Sequence, residues 1–268
     1  MLPAPCRLSL FLVLAMALSI PASAHRRETG FLDRTVTVNN LAYKYQVYVP
    51  DNWSPNRKWP VILFLHGAVE RGSDGLLQTQ VGIATAIRKD RSRFRVLVVM
   101  PQCPTGHWWP ERLMQRIALE ALAVSTEEFK GDPKRTYLTG VSMGGYGSWY
   151  LASAYPGKFA AVVPICGGIV PPANVLEAQP MLARDSYPEN AKSYAEVATR
   201  IGKTPVWIFH GNADNAVPVE NSRRLYEALK AAGADVRYTE YPGVGHDEAW
   251  GRAYADPELM SWLCSKSL

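Results

Sequence analysis

Gly140-Val141-Ser142-Met143-Gly144 follows a short β-branched and aromatic run, Arg135 to Thr139, and leads into small and apolar residues at helical spacing, Gly145 to Tyr155. A strand, a sharp glycine-flanked turn bearing a serine, and then a helix form the pattern of a nucleophile elbow. Such a turn strains the serine backbone. A Cβ on either flank would collide with the adjoining strand and helix. Ser142 is therefore expected to stand at the top of a sheet. The pentapeptide alone is a weak signal, and its weight comes from the strand and helix around it.

A serine nucleophile needs a base to take its proton and a third group to fix the tautomer of that base. Two later segments supply candidates in the order serine, acid, histidine. In "TPVWIFHGNADNAVP" a hydrophobic strand, Pro205 to Phe209, precedes a polar loop holding Asp214. In "VRYTEYPGVGHDEAW" a strand, Val236 to Tyr241, precedes a glycine-rich loop holding His246. Both residues fall just past the C-terminal end of a strand, where open α/β sheets bind ligands. Asp214 also has the composition of an ordinary turn residue, with Asn212 and Asn215 beside it. Asp247 is a rival acid, but adjacent residues seldom point at each other, so Asp214 is preferred. A tetrahedral intermediate needs oxyanion donors. The backbone N–H of Met143 is one candidate. Ala68 is the other, because Gly67 follows the apolar strand Val61 to Leu65 and permits a tight turn. His66 and His210 each precede a glycine at a strand end and read as structural.

The rest of the chain alternates strands with helices. Thr35 to Asn39 and Leu41 to Val49 alternate apolar and polar residues around Asn39-Asn40, which reads as an antiparallel hairpin at a sheet edge. Six runs read as parallel strands: Val61–Leu65, Val96–Met100, Thr136–Thr139, Ala160–Ile165, Val206–Phe209 and Val236–Tyr241. Helical stretches separate them: Leu76–Arg88, Glu111–Phe129, Tyr146–Ala154, Asn221–Ala232 and a terminal Pro257–Lys266. This order predicts right-handed crossovers and a mostly parallel eight-stranded α/β sheet with helices on both faces. The longest connection, Gly167 to Thr204, carries Pro171, Pro172, Pro180 and Pro188 and one helix, Ser193–Ile201. It is expected to wall one side of a pocket.

With these motifs in place, the chain resembles a serine esterase of the α/β-hydrolase superfamily. More narrowly it is similar to the bacterial phospholipase/carboxylesterase-like and dienelactone-hydrolase-like "predicted peptidase" group, the prolyl-oligopeptidase family. The matching stretches are "LFLHGAVERGSDGLLQ", "VVMPQCP", "YLTGVSMGGYGSWYLA", "AAVVPICGG", "WIFHGNADNAVPVENS" and "YTEYPGVGHDEAW". They run from about residue 60 to the C-terminus. The resemblance implies the α/β-hydrolase fold, a Ser142–His246–Asp214 triad and no metal or organic cofactor. One departure is Val69, where related chains often have glycine. The alternatives are a small serine exopeptidase on the same fold and a catalytically inactive binding protein.

Residues 1–24 read as a signal peptide. Arg7 is followed by the apolar stretch Leu8 to Ile20 and by Ala22-Ser23-Ala24 before His25. The apolar stretch is too short for a comfortable membrane span, so an exported protein, periplasmic or extracellular, is expected. Residues 25–268 suit one catalytic domain. The formal net charge is +5. The densest basic run, Arg88 to Arg95, lies before a strand at the edge opposite the proposed site, so it reads as a solvated face and not a nucleic-acid surface. Three cysteines follow the leader, Cys103, Cys166 and Cys264. An odd number leaves at least one unpaired within a monomer, and their spacing gives no metal site.

"PQCPTGHWWPER" places Trp108 and Trp109 at the catalytic end of the sheet. They either seal the edge of the core or wall a pocket that stacks on an aromatic acid or a sugar ring. The second reading makes them substrate-binding residues for a small-molecule or polysaccharide-linked ester with a compact acyl group.

Overall fold

Strand side chains alternate between the two faces of a sheet, and here the alternation separates two apolar cores. The computed structural model describes residues 28–170 and 193–268. Its eight strands are β1 (Gly30–Val38), β2 (Leu41–Val49), β3 (Trp59–Leu65), β4 (Leu97–Pro101), β5 (Gly131–Val141), β6 (Ala161–Ile165), β7 (Val206–Gly211) and β8 (Val236–Tyr241). Leu63, Leu65, Val99, Leu138 and Ile208 face one core, and Ile62, Phe64, Val98, Tyr137 and Phe209 face the other. Helices α2 (Arg112–Glu128), α3 (Met143–Ala154), α4 (Tyr194–Ile201) and α5 (Glu220–Ala231) cover the first face. Helices α1 (Ile83–Lys89), α6 (His246–Ala255) and α7 (Leu259–Cys264) cover the second.

The strand order is β1-β2-β4-β3-β5-β6-β7-β8. β1 pairs with β2, and β2 with β4, antiparallel; the other neighbours are parallel. This is the α/β-hydrolase sheet, with the expected hairpin at its edge. Asn39 and Asn40 turn that hairpin, both at positive φ. Asparagine tolerates that region better than most residues.

Several boundaries differ from expectation for identifiable reasons. β1 starts at Gly30 and β5 runs from Gly131, both longer than the apolar alternation alone indicates. The helix expected over Leu76–Arg88 is broken. A 3-10 turn occupies Leu77–Gln80, and α1 begins only after Gly82, which has φ +62°. A Cβ there would lie 2.8 Å from the Phe64 ring and 3.2 Å from that of Tyr254. Helix α6 was expected as loop. Its first turn carries Asp247 and Glu248, which suit a helix N-terminus, whereas Gly251 in its middle weakens the sequence signal.

Helix α4 has the sequence signature of its own start. Ser193 Oγ accepts from Glu196 N at 3.2 Å, and Glu196 Oε2 accepts from Ser193 N at 3.0 Å. Of the Gly167–Thr204 connection the structure describes only the ends, and the expected signal peptide, residues 1–24, lies wholly outside the described residues. No helix among them is long and apolar enough to cross a membrane. The basic run is solvated as expected, with Arg88, Lys89, Arg91 and Arg95 exposed and Arg93 half-buried. Arg88 donates to Thr79 Oγ1 at 2.8 Å and covers the Phe31 ring, and Arg93 donates to Asp256 O at 2.5 Å.

Candidate active site

β5 ends at Val141 and α3 begins at Met143, so a single residue makes the turn. Ser142 sits at φ 54°, ψ −117°, a left-handed conformation costly for a residue with a Cβ. The surroundings hold it there. Ser142 N donates to Ile165 O at 3.0 Å, across to β6. A Cβ on Gly144 would run into the Leu65 carbonyl oxygen, and one on Gly140 into the Gly144 carbonyl. Gly144→Ala is therefore expected to destabilise the protein by more than about 3 kcal/mol. Gly251→Ala, with open space around its Cβ, should stabilise it by up to about 1 kcal/mol. Urea denaturation midpoints of the two variants check both signs.

The elbow, the β7 loop and the start of α6 bring three side chains together. Ser142 Oγ lies 2.8 Å from His246 Nε2, and His246 Nδ1 lies 2.5 Å from Asp214 Oδ2. The carboxylate fixes the tautomer. Nδ1 carries the proton and donates to Asp214, so Nε2 keeps a lone pair for the serine hydroxyl. Gly211 permits the β7 loop to pass close to the chain before His246, since a Cβ there would meet the Val244 carbonyl oxygen. Asp247 is exposed and has no part in this chain of hydrogen bonds.

The Asp214 side chain is fully buried. Burial opposes its charge, but hydrogen bonds from His210, His246 and the Val217 N–H outweigh it and hold the carboxyl well below its usual range. Oδ1 accepts from Ala216 N at 2.9 Å and Val217 N at 2.8 Å. His210 Nε2 stands 3.2 Å from Oδ2. His210 was expected to be merely structural, because only its strand-end glycine was legible; its position four residues before Asp214 was the signal available.

The loop after β3 is braced through His66. Its Nδ1 donates to Gly67 O at 2.6 Å and its Nε2 accepts from Cys103 N at 2.9 Å. Burial pushes this imidazole down to about 4, so it stays neutral near pH 7. Arg71 Nε donates to Ala68 O at 3.1 Å. A Cβ on Gly67 would lie 3.7 Å from Ser142 Cβ, which shows how closely this loop passes the elbow. Met143 opens α3, where the first N–H groups have no intrahelical partner. Val69, the departure from the family pattern, is 88% exposed, so its branched side chain points away from the packed loop.

Two residues near the site were missed in the sequence. Glu70 Oε2 would be 2.9 Å from a Cβ on Gly67, and burial raises its carboxyl against the backbone hydrogen bonds that lower it. The Trp250 ring stands edge-on to His246 at 5.2 Å, one helical turn along α6.

Of the two readings of Trp108 and Trp109, sealing the core or walling a pocket, their burial favours the first. They are 3% and 1% exposed. Trp109 Nε1 donates to His66 O at 2.9 Å, and its Cβ fills the space left by Gly147 of α3. Trp108 packs on the Tyr146 ring at 5.7 Å. Although they sit on a loop, both indoles are packed into the core, which removes their large apolar rings from water.

Among the described residues, Cys166, His210 and Asp214 bring three potential metal ligands within 4.8 Å of one another. Their chemistry is that of a hydrogen-bond cluster. Burial and Asp214 push the Cys166 thiol up, keeping it protonated, and His210 Nε2 faces two acceptor oxygens. Cys103, Cys166 and Cys264 are all free thiols.

A family model described as "Putative esterase" matches residues 38–256. An uncharacterized secreted protein of Arthroderma benhamiae is 28% identical over 209 residues, 73% of this chain and 22% of its own. A thermostable esterase of known crystal structure is 32% identical, with a TM-score of 0.68 over 89% of this chain and 63% of its own. The feruloyl esterase module of Clostridium thermocellum, solved with sinapinate, shares the fold at 17% identity, with a TM-score of 0.61 over 88% of this chain and 86% of its own. The chain spans less than half the length of the curated relatives it matches.

Proposed function

The chain belongs to the Esterase family within the α/β-hydrolase superfamily, and from that membership we propose that it is an exported serine hydrolase of carboxylic esters. The observation that carries the reading is the continuous hydrogen-bond chain from Ser142 through His246 to Asp214. Ser142 Oγ attacks the ester carbonyl carbon while His246 Nε2 takes the hydroxyl proton. The backbone N–H groups of Met143 and Ala68 hold the resulting oxyanion. The bond to the alcohol oxygen breaks as His246 returns the proton to it. Water, deprotonated by His246, then attacks the acyl-enzyme carbonyl and releases the acid with Ser142 restored. This sequence requires no cofactor.

Residues 1–24 act as the export signal, a reading supported by the secreted Arthroderma relative. The substrate class is a compact acyl group on a small alcohol or a sugar. Aryl acids belong in that class because the fold is shared with a feruloyl esterase module.

The test has two arms. A fluorophosphonate probe should label the wild-type protein and not Ser142→Ala; equal labelling of both would remove Ser142 as nucleophile. A hydrolysis panel of short and long p-nitrophenyl esters, feruloyl and acetylated sugars and peptide amides should show turnover on compact esters. Peptide amides cleaved faster than every ester would replace this reading with an exopeptidase.

A further inference from the structure

Asp214 Oδ2 accepts from two imidazoles. His246 Nδ1 is at 2.5 Å and His210 Nε2 at 3.2 Å. His210 is fully buried, and its Nε2 also lies 3.0 Å from Val217 O. Both neighbours of that nitrogen are acceptors, so it carries a proton. The other nitrogen, Nδ1, lies 2.7 Å from the hydroxyl of Ser222, which comes from α5 and is itself buried. That hydroxyl can donate to Nδ1. The Nε2 proton is thereby aimed at Asp214 and Val217.

Resting on the esterase reading above, we propose that His210 is a positioning residue which shares Asp214 Oδ2 with His246 and so sets how far toward acid pH the enzyme works, with Ser222 fixing the tautomer this sharing requires. The physical reason is competition for one oxygen. Oδ1 is already pinned by two backbone N–H groups, so the carboxylate does not swing away when a donor to Oδ2 is lost. Each donor on Oδ2 draws negative charge toward itself. With His210 present, less charge remains to hold a proton on His246, which must be neutral to accept the serine proton. Without it, the carboxylate loses one of its donors and favours the imidazolium. The other titratable groups set against Asp214 are the Cys166 thiol at the end of β6 and the Tyr146 phenol of α3; Asp247 of α6 acts on the Cys166 thiol and on Glu70 of the loop after β3.

His210→Phe removes the donor and His210→Gln restores an amide N–H on a side chain of similar reach. Each is assayed on p-nitrophenyl acetate from pH 5 to 9, per active site counted by fluorophosphonate titration. The rate taken is the part abolished by Ser142→Ala. A failure of the serine reading therefore appears as the absence of that part, separate from any result on His210. In His210→Phe the acid limb of kcat/KM should move up by about half to one pH unit, lowering the rate at pH 5.5 about 3- to 10-fold. The plateau above pH 8 should stay within about 3-fold. His210→Gln should keep the wild-type limb. A limb that stays put or moves down in His210→Phe overturns the proposal, as does a limb in His210→Gln that moves with it. If His210→Phe assembles too few sites to assay, His210→Leu carries the same expectation. Failure of both to assemble sites would make His210 a folding residue and overturn the proposal.

Discussion

Ser142→Ala should leave a folded protein whose ester turnover falls by about 10⁵- to 10⁶-fold, the loss seen when the nucleophile of a serine triad is removed. Alanine keeps the Cβ, so the strain at φ 54° is unchanged. Among the described residues, the interaction lost is the hydrogen bond of Oγ to His246 at 2.8 Å. Stability should therefore shift by no more than about 1 kcal/mol. Steady-state turnover on p-nitrophenyl acetate and a urea midpoint measure the two quantities. A variant that keeps turnover within 100-fold of wild type would mean that another group attacks the ester.

The second large effect separates two carboxylates. Asp214→Asn should lower turnover by about 10⁴-fold, while Asp247→Asn should cost less than about 10-fold. Two backbone N–H groups donate to Asp214 Oδ1 and two imidazoles to Oδ2, and the Cys166 thiol also bonds this carboxylate. A carboxylate accepts from all of them. An asparagine has one acceptor oxygen, so its NH₂ must face either the backbone donors or the imidazoles. Facing the imidazoles, it drives the proton of His246 onto Nε2, where it can no longer receive one from Ser142. Asp247 is exposed on the first turn of α6 and touches none of these groups. Equal losses in the two variants would assign the wrong acid to His246.

The elements legible in the sequence share one property, that their signals are local. The apolar strands, the glycines at 140 and 144, and the loops carrying Asp214 and His246 each follow from neighbours a few residues away. Backbone sterics and side-chain period act over that range. The choice of Asp214 over Asp247 was also local, because residues adjacent in the chain seldom point at each other.

What needed the tertiary structure was every feature set by partners distant in the chain. The sequence shows tryptophan at 108 and 109, but whether they face solvent depends on Gly147 of α3 and the carbonyl of His66, which receive Trp109. It shows glycine at 82, but not the Phe64 and Tyr254 rings that the absent Cβ makes room for and that accompany the broken helix. It places His210 at a strand end, but not Ser222 behind it or the shared oxygen of Asp214 in front. Local patterns determined that this chain makes an α/β sheet with a serine, an acid and a histidine at one end. Packing between distant segments decided which side chains are buried and which hydrogen bonds each histidine makes, because burial and hydrogen bonding depend on what the fold brings alongside.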